Sequence, residues 1–303
     1  MSDHQQSKIP VIVTGFVMGA ADLVPGVSGG TIALVFGIYD RLLNAITSIG
    51  VTSGRLIVKR QFREFARTIS LPFLLTLAAG MATAILALSE PLGRLLDDPD
   101  GRIVLFGFFF GLVVASVYVI GRRVTWRPPT AAIFIAGAII GLVVVQLTPT
   151  TGSKAAFATF AAGAIAICAM VLPGISGSFI LVILGQYDNV LDAVRTRDLG
   201  TLLIFVTGIV IGLGLFARLL RRLLSTQPDL TLAILAGFMA GSLWKIWPWR
   251  ICQTIGADGH CLTDSLTSPI FNQRAFLAVG LALVGAAVVV SVDHAVRAPN
   301  RTA

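Results

Sequence analysis

The stretch Pro25-Gly26-Val27-Ser28-Gly29-Gly30-Thr31 returns at residues 173–179 as Pro173-Gly174-Ile175-Ser176-Gly177-Ser178-Phe179, each time inside apolar sequence. The match continues through Gly37, Tyr39, Asp40, Leu43 and Ala45, which return as Gly185, Tyr187, Asp188, Leu191 and Ala193. From Pro25 to Ala45 the offset is a constant 148, with 10 of 21 positions identical. A Pro-Gly-x-Ser-Gly break at bilayer depth is costly, because the freed amides and carbonyls find no water there. A chain that builds such a break twice has a use for it.

Composition places the breaks in a membrane. The 303 residues are 55% hydrophobic and 13% charged, with a mean hydropathy of +0.87; an ordinary soluble domain carries about 25% charged residues. The net charge of +8 comes from basic residues clustered in short loops between apolar runs. That distribution follows the positive-inside rule and argues against a nucleic-acid partner. The longest polar stretch, Pro248–Gln273, is too short to bury a core of its own. Ile9–Met18 could serve as an h-region, but no cleaved signal peptide is expected. Cys168 lies in an apolar run and reads as packing. Cys252 and Cys261 share one loop, and either a disulfide or two free thiols fits. No metal site or cofactor is expected.

Six apolar runs are long enough, or nearly so, to cross alone: 71–89, 101–120, 131–147, 199–220, 230–247 and 274–296. The arms of the first break, Pro10–Val24 and Thr31–Ile46, each reach only about 22 Å at helical rise, short of a full span. Charge decides between a re-entrant hairpin and a broken crossing. Arg55, Lys59, Arg60, Arg63 and Arg67 face one Glu64 between Ser48 and Ser70, which assigns that connection to the cytoplasm. If both breaks are hairpins, alternation puts Arg122, Arg123, Arg127, Arg218, Arg221, Arg222, Arg297 and Arg301 on the same side. The Glu90–Asp100 and Cys252–Cys261 loops then fall outside. A single crossing at the second break alone would put Arg218–Arg222 outside.

The expected fold is therefore an all-α membrane protein built as an inverted repeat, each half one re-entrant helical hairpin plus three transmembrane helices. It forms a single integral membrane domain over 1–303, with repeats at 10–147 and 155–296 and both termini cytoplasmic. Further echoes agree. Gly107-Phe108 with Gly111 returns as Gly237-Phe238 with Gly241, and Gly80 with leucines 92, 95 and 96 returns as Gly208 with leucines 220, 223 and 224. The segment Arg55–Thr68 reads as an amphipathic helix on the cytoplasmic surface, or as a solvated linker.

Inverted repeats with broken helices near the midplane are a transporter pattern. Ser28, Gly29, Gly30 and Thr31 at one tip, with Ser176, Gly177 and Ser178 at the other, offer amides and hydroxyls suited to a small anionic group such as phosphate or carboxylate. The plainer reading is a tight turn whose serines satisfy the backbone. Asp22, three residues before the first break, is either a proton-coupling acid or a cap on the loop amides; its counterpart is Met170. Lys245 and Arg41 complete the substrate-binding candidates by drawing in an anionic headgroup, and snorkelling is the plainer reading of a lysine in Trp244-Lys245-Ile246-Trp247 and of Arg41. Tyr39 and Tyr187 read as anchors near the membrane interface.

The stretches ADLVPGVSGGTIALVFGIYDRLL (21–43), GFFFG (107–111), VLPGISGSFILVILGQYD (171–188) and AGSLWKIWPW (240–249) together resemble the PopT-type polyprenyl-phosphate translocases, across roughly residues 10–295. The resemblance implies a bacterial cytoplasmic-membrane protein that returns undecaprenyl phosphate from the outer to the cytoplasmic leaflet. That return recycles the carrier for peptidoglycan and other envelope polymers. Its partners would be the lipid and the bilayer, with protons as coupling ion if Asp22 is the coupling acid rather than a cap. The motif is also similar to an element of the BacA-type undecaprenyl-pyrophosphate phosphatases, but Gly29 and Gly177 stand where that family has arginine and no ExxxE pair precedes the motif. A transporter of a soluble anion is the other alternative.

Overall fold

The computed structural model describes residues 9–150, 152–255, 261–267 and 273–297. Around the first break the chain forms α1 (Val11–Asp22), α2 (Gly29–Val35) and α3 (Tyr39–Thr47). The basic segment forms α4 (Val51–Val58) and α5 (Phe62–Thr68). Three long helices follow, α6 (Leu71–Asp97), α7 (Pro99–Gly121) and α8 (Pro128–Gln146). The second half keeps the order with α9 (Ala156–Val171), α10 (Gly177–Ile183), α11 (Tyr187–Thr196), α12 (Leu199–Thr226), α13 (Pro228–Ser242) and α14 (Gln273–Arg297). Between α13 and α14 lies an antiparallel strand pair, β1 (Arg250–Ile255) and β2 (Cys261–Leu266).

Local chemistry sets the helix ends. Asp98 ends α6 and starts α7: its Oδ2 accepts from the Gly101 amide at 2.7 Å, and Pro99 fills the first helical position, where no amide is needed. Asp198 does the same for α12, accepting from the amides of Gly200 and Thr201. Pro128 and Pro228 open α8 and α13.

The chain is a multi-pass membrane protein. Among the described residues five helices, α6, α7, α8, α12 and α14, are long and apolar enough to cross. The sixth expected run, 230–247, yields less. α13 stops after 15 residues, about 22 Å at helical rise, and the chain turns at 243–246, with the Lys245 amide on the Ser242 carbonyl at 2.9 Å. Nor is the basic segment one helix. It breaks after Val58, where Arg60 adopts φ +57°, and leaves Val58 and Phe62 exposed among arginines. The β-hairpin was not foreseen, because its residues are polar enough to read as loop. Whether Cys252 and Cys261 pair lies outside what is described, as do their side chains.

Four helix pairs carry most of the packing, and glycines set their closeness. α1 lies on α6 with Gly15 against Leu77 and Gly19 against Met81. The contact advances four residues along both helices in the same sense, so the pair runs parallel. α9 lies on α12 in the same way, Phe160 on Gly208 and Ala164 on Gly212. α7 lies parallel to α14 through Gly107 on Ala278 and Gly111 on Ala282. α8 lies parallel to α13 through Phe134 on Gly237 and Ala138 on Gly241. These contacts are counterparts of one another. Ile12 on Gly80 maps to Phe160 on Gly208, and Gly107 on Ala278 maps to Gly237 on Phe134.

Polar contacts fix which ends lie together. At one end Arg218 donates to the Ile49 carbonyl at 3.2 Å, and Arg221 donates to Thr47 Oγ1 at 3.0 Å. The Thr125 amide donates to Asp229 at 3.2 Å. Buried Asp293 accepts from Arg123 at 2.9 Å and Arg297 at 2.8 Å at that same end. At the other end Arg274 pairs with Asp100 at 2.7 Å.

The two halves differ in what they bury. Val24, Val27, Ile32 and Val35 around the first break sit in the main core with Val113, Leu235, Met239 and Ile246. Around the second break lies a smaller cluster, Ala166, Ala169, Ile175, Ile180 and Ile183.

Candidate functional site

The breaks start from the backbone. Pro25 and Pro173 have no amide to continue a helix, and the glycine after each reverses the chain in the left-handed region, Gly26 at φ +87° and Gly174 at +96°. Gly37 and Gly185 do the same just after α2 and α10, at +72° and +62°. These four are the positive-φ glycines among the described residues, and they form two pairs at the repeat offset.

The breaks are docked on each other. The last carbonyls of α9 have no helical amide beyond them, and residues around the first break cover three in a row. Ser28 Oγ lies 3.4 Å from the Met170 carbonyl and 3.3 Å from that of Leu172, and the Tyr39 hydroxyl donates to Val171 at 2.8 Å. Gly30 is glycine because a Cβ there would lie 2.8 Å from the Val171 carbonyl oxygen.

At the first tip, Ser28 Oγ also accepts from the Gly30 amide at 3.1 Å, and the Asp22 carboxylate accepts from the Gly29 amide at 2.6 Å. The plainer sequence reading, serine and carboxylate satisfying the loop, describes this tip. Ser28, Gly29, Gly30 and Thr31 are all buried, and Thr31 Oγ1 has no partner. The second tip is built differently. No side chain caps α10, the Ser176 and Ser178 hydroxyls hold each other at 2.8 Å, and Ser178 is exposed.

Lys245 joins the tips. Its stem packs on Gly26, where an added Cβ would meet Lys245 Cγ at 3.0 Å, and its ammonium lies over the Phe179 ring, 5.0 Å from the centroid. One turn earlier, Ser242 and Met239 pack on Gly174. The end of α13 is thus held against both reversed glycines. Arg41 does not join. It is exposed and stacks on Phe73, 4.2 Å from the ring centre.

Sequence reasoning missed Ser242, Met239 and Phe179. It placed Tyr39 at the interface, whereas Tyr39 is 2% exposed in the core and Tyr187 is 43% exposed. The doubled tyrosine could not reveal this, since Tyr39's partner is a main-chain carbonyl on the other break. Beside the second tip, Leu172 lines one end of an apolar cavity of about 340 Å³ between α12 and α13, walled by Phe216, Leu220, Ile234 and Phe238.

A multi-pass helical membrane protein with two broken helices docked on each other is the class this geometry defines. Residues 18–263 match the VCA0040-like family, described as undecaprenyl phosphate translocase-like. The chain is 42% identical over 251 residues to a polyprenyl-phosphate transporter of Vibrio cholerae, covering 82% of this chain and 81% of that protein. It is 31% identical over 261 residues to a polyprenyl-phosphate transporter of Staphylococcus aureus, covering 80% and 88%. No solved structure matches. The protein belongs to the undecaprenyl phosphate translocase-like family.

Proposed function

We propose that this protein is a transporter, not an enzyme, that returns undecaprenyl phosphate from the outer to the cytoplasmic leaflet of the bacterial inner membrane, where the carrier is reused in envelope polymer synthesis. The observation that carries the reading is the meeting of both breaks with Lys245, which gathers hydroxyls and a cation among apolar helices. The names of the two relatives support a polyprenyl phosphate as cargo. The lipid's tail stays in the bilayer, so only its phosphate needs a polar path.

The packing supports an inverted repeat with re-entrant hairpins. α1 runs parallel to α6, so the chain between them returns to the end it left. α9 and α12 support the same for the second break. From the end contacts, α1, α6, α8 and α13 run one way and α7, α9, α12 and α14 the other, each opposite to its sequence counterpart. Such halves can expose one site to either leaflet by rocking. The end that carries Arg218, Arg221, Arg123 and Arg297 is the cytoplasmic one by the positive-inside rule. Cysteines introduced at 55–67 are expected to react with a membrane-impermeant maleimide only after lysis; reaction in intact cells refutes this sidedness.

Asp22 keeps two roles in this scheme, the cap on Gly29 and the proton-coupling carboxylate, since protonation would weaken the bond that holds the tip closed. Phosphatase chemistry is disfavoured. Phosphoryl transfer needs a cation on the developing charge with an acid or base alongside, and the nearest carboxylate is committed to an amide.

Reconstitution decides. Proteoliposomes are expected to exchange a labelled undecaprenyl phosphate between leaflets and to release no phosphate from undecaprenyl pyrophosphate. Phosphate release without exchange defeats the proposal. Exchange of soluble phosphate alone favours a soluble-anion transporter.

A further inference from the structure

We infer that the two breaks divide the work: the second contacts the phosphate through Ser176, Ser178 and Lys245, and the first is the buttress that holds the second in place. This rests on the transporter reading above and names which half of the site touches the cargo.

The first break has its polar groups committed or enclosed. The Gly29 amide is bonded to Asp22 and the Gly30 amide to Ser28. The Ser28 proton faces the carbonyls of Met170 and Leu172. Ser28 is 1% exposed and Thr31 0%, so a ligand has no access to them in this conformation. The carboxylate of Asp22 beside Gly29 also repels an arriving anion. These groups belong to the main core, where an unmade bond to a buried carbonyl costs about 1–3 kcal/mol.

The second break differs in charge and in the exposure of Ser178, while Ser176 is 8% exposed. Met170 stands where the first has Asp22, so no carboxylate guards it. Ser176 and Ser178 share one hydrogen bond, which uses one of their two protons and leaves the other to turn toward a ligand. Ser178 is exposed, and the next residue, Phe179, carries the Lys245 ammonium on its ring. Hydroxyl and ammonium together are the donor set a phosphate monoester takes.

An independent observation lies on the other side of the same break. The cavity of about 340 Å³ between α12 and α13 ends at Leu172 and is lined almost wholly by leucine, isoleucine and phenylalanine. It offers a prenyl chain an apolar path that reaches Leu172, the residue before Pro173. Head and tail of one lipid are thereby served by the same break.

The test uses the full-length protein in lipid nanodiscs, titrated with undecaprenyl phosphate and separately with inorganic phosphate. Fluorescence of Trp244 and Trp247 reports binding, and thermal unfolding is followed in parallel. Ser176→Ala with Ser178→Ala, and separately Lys245→Gln, are expected to raise the apparent Kd at least about tenfold, the loss of one hydrogen bond to a charged group, with unchanged melting temperature. Tyr39→Phe and Ser28→Ala are expected to lower the melting temperature and leave the Kd of the folded protein unmoved. The inference is overturned if the second-break variants bind like wild type, or if Ser28→Ala weakens binding as much as they do without loss of stability. Wild-type binding of inorganic phosphate but not the lipid, weakened by the second-break changes, upholds the assignment of the site and defeats the lipid reading. Binding of neither ligand defeats both.

Discussion

Gly111→Val is expected to leave no monodisperse protein in the membrane extract. Gly111 lies where α7 presses on α14, and a Cβ there would collide with the Ala282 carbonyl and lie 2.6 Å from its Cα. The obstacle is backbone, so no side chain can swing aside to make room. Ordinary overpacking costs about 1–3 kcal/mol, and a β-branched residue against a rigid helix should exceed it. The pair is the inner wall of the fold, since α7 is the most enclosed of the spanning helices. Helix association in a bilayer depends on such close approach, because lipid tails compete equally for apolar surface. Gly280→Val on α14 is the control: nothing lies within 4 Å of its added Cβ. Fluorescence-detected size exclusion separates the outcomes, and a normal Gly111→Val peak would show that the pair tolerates splaying.

The same contact explains what could be read in advance. Glycine carries information when the backbone itself needs it. Gly26, Gly37, Gly174 and Gly185 all take positive φ, and each survives in both halves, so the repeat is visible as identity. The GFxxG pairs are visible for a related reason, because Gly107, Gly111, Gly237 and Gly241 each face a carbonyl. Their partners are not visible. Phe134 and Ala138 correspond to Ala278 and Ala282 in packing, yet they present main-chain atoms, and any side chain will do there. The correspondence between α8 and α14 survives only as Ala138 with Ala282 and Gly141 with Gly285, small residues that do not stand out in apolar runs.

The candidate site was legible to the same limit. Ser28, Ser176 and Lys245 announce themselves as polar residues in apolar sequence, and the structure brings them to one region. What each does there depends on partners that composition hides. Tyr39 and Ser28 answer carbonyls at 170–172, and Arg41 is diverted to the Phe73 ring. A charge near a hairpin foot says nothing about which face of a helix carries an aromatic ring. The early end of α13 was hidden too, since Leu243, Trp244 and Ile246 keep the run apolar while the chain is already turning.

Gly174→Ala is expected to abolish transport while the protein remains folded. At φ +96° an L-residue costs about 1–2 kcal/mol, and the added Cβ would lie 2.8 Å from Ser242 Oγ and 3.0 Å from Met239 Cα. The Ser242 hydroxyl is pinned on the Met239 carbonyl at 2.8 Å, so the end of α13 must move as a unit. That end carries Lys245, and the second break carries Ser176 and Ser178. Moving one from the other separates the ammonium from the hydroxyls. About 1.4 kcal/mol is a tenfold change in population, so the competent arrangement should become rare. Gly37→Ala supplies the contrast. It bears similar backbone strain at φ +72°, but its Cβ would meet only Val296 Cγ1 at 3.1 Å, at the opposite end of the protein from the Arg274–Asp100 pair. It should lower the melting temperature and leave the protein that survives active. Leaflet exchange in proteoliposomes, normalised to folded protein, measures both. Equal residual transport in the two variants would mean that the contact between Gly174 and α13 serves stability alone.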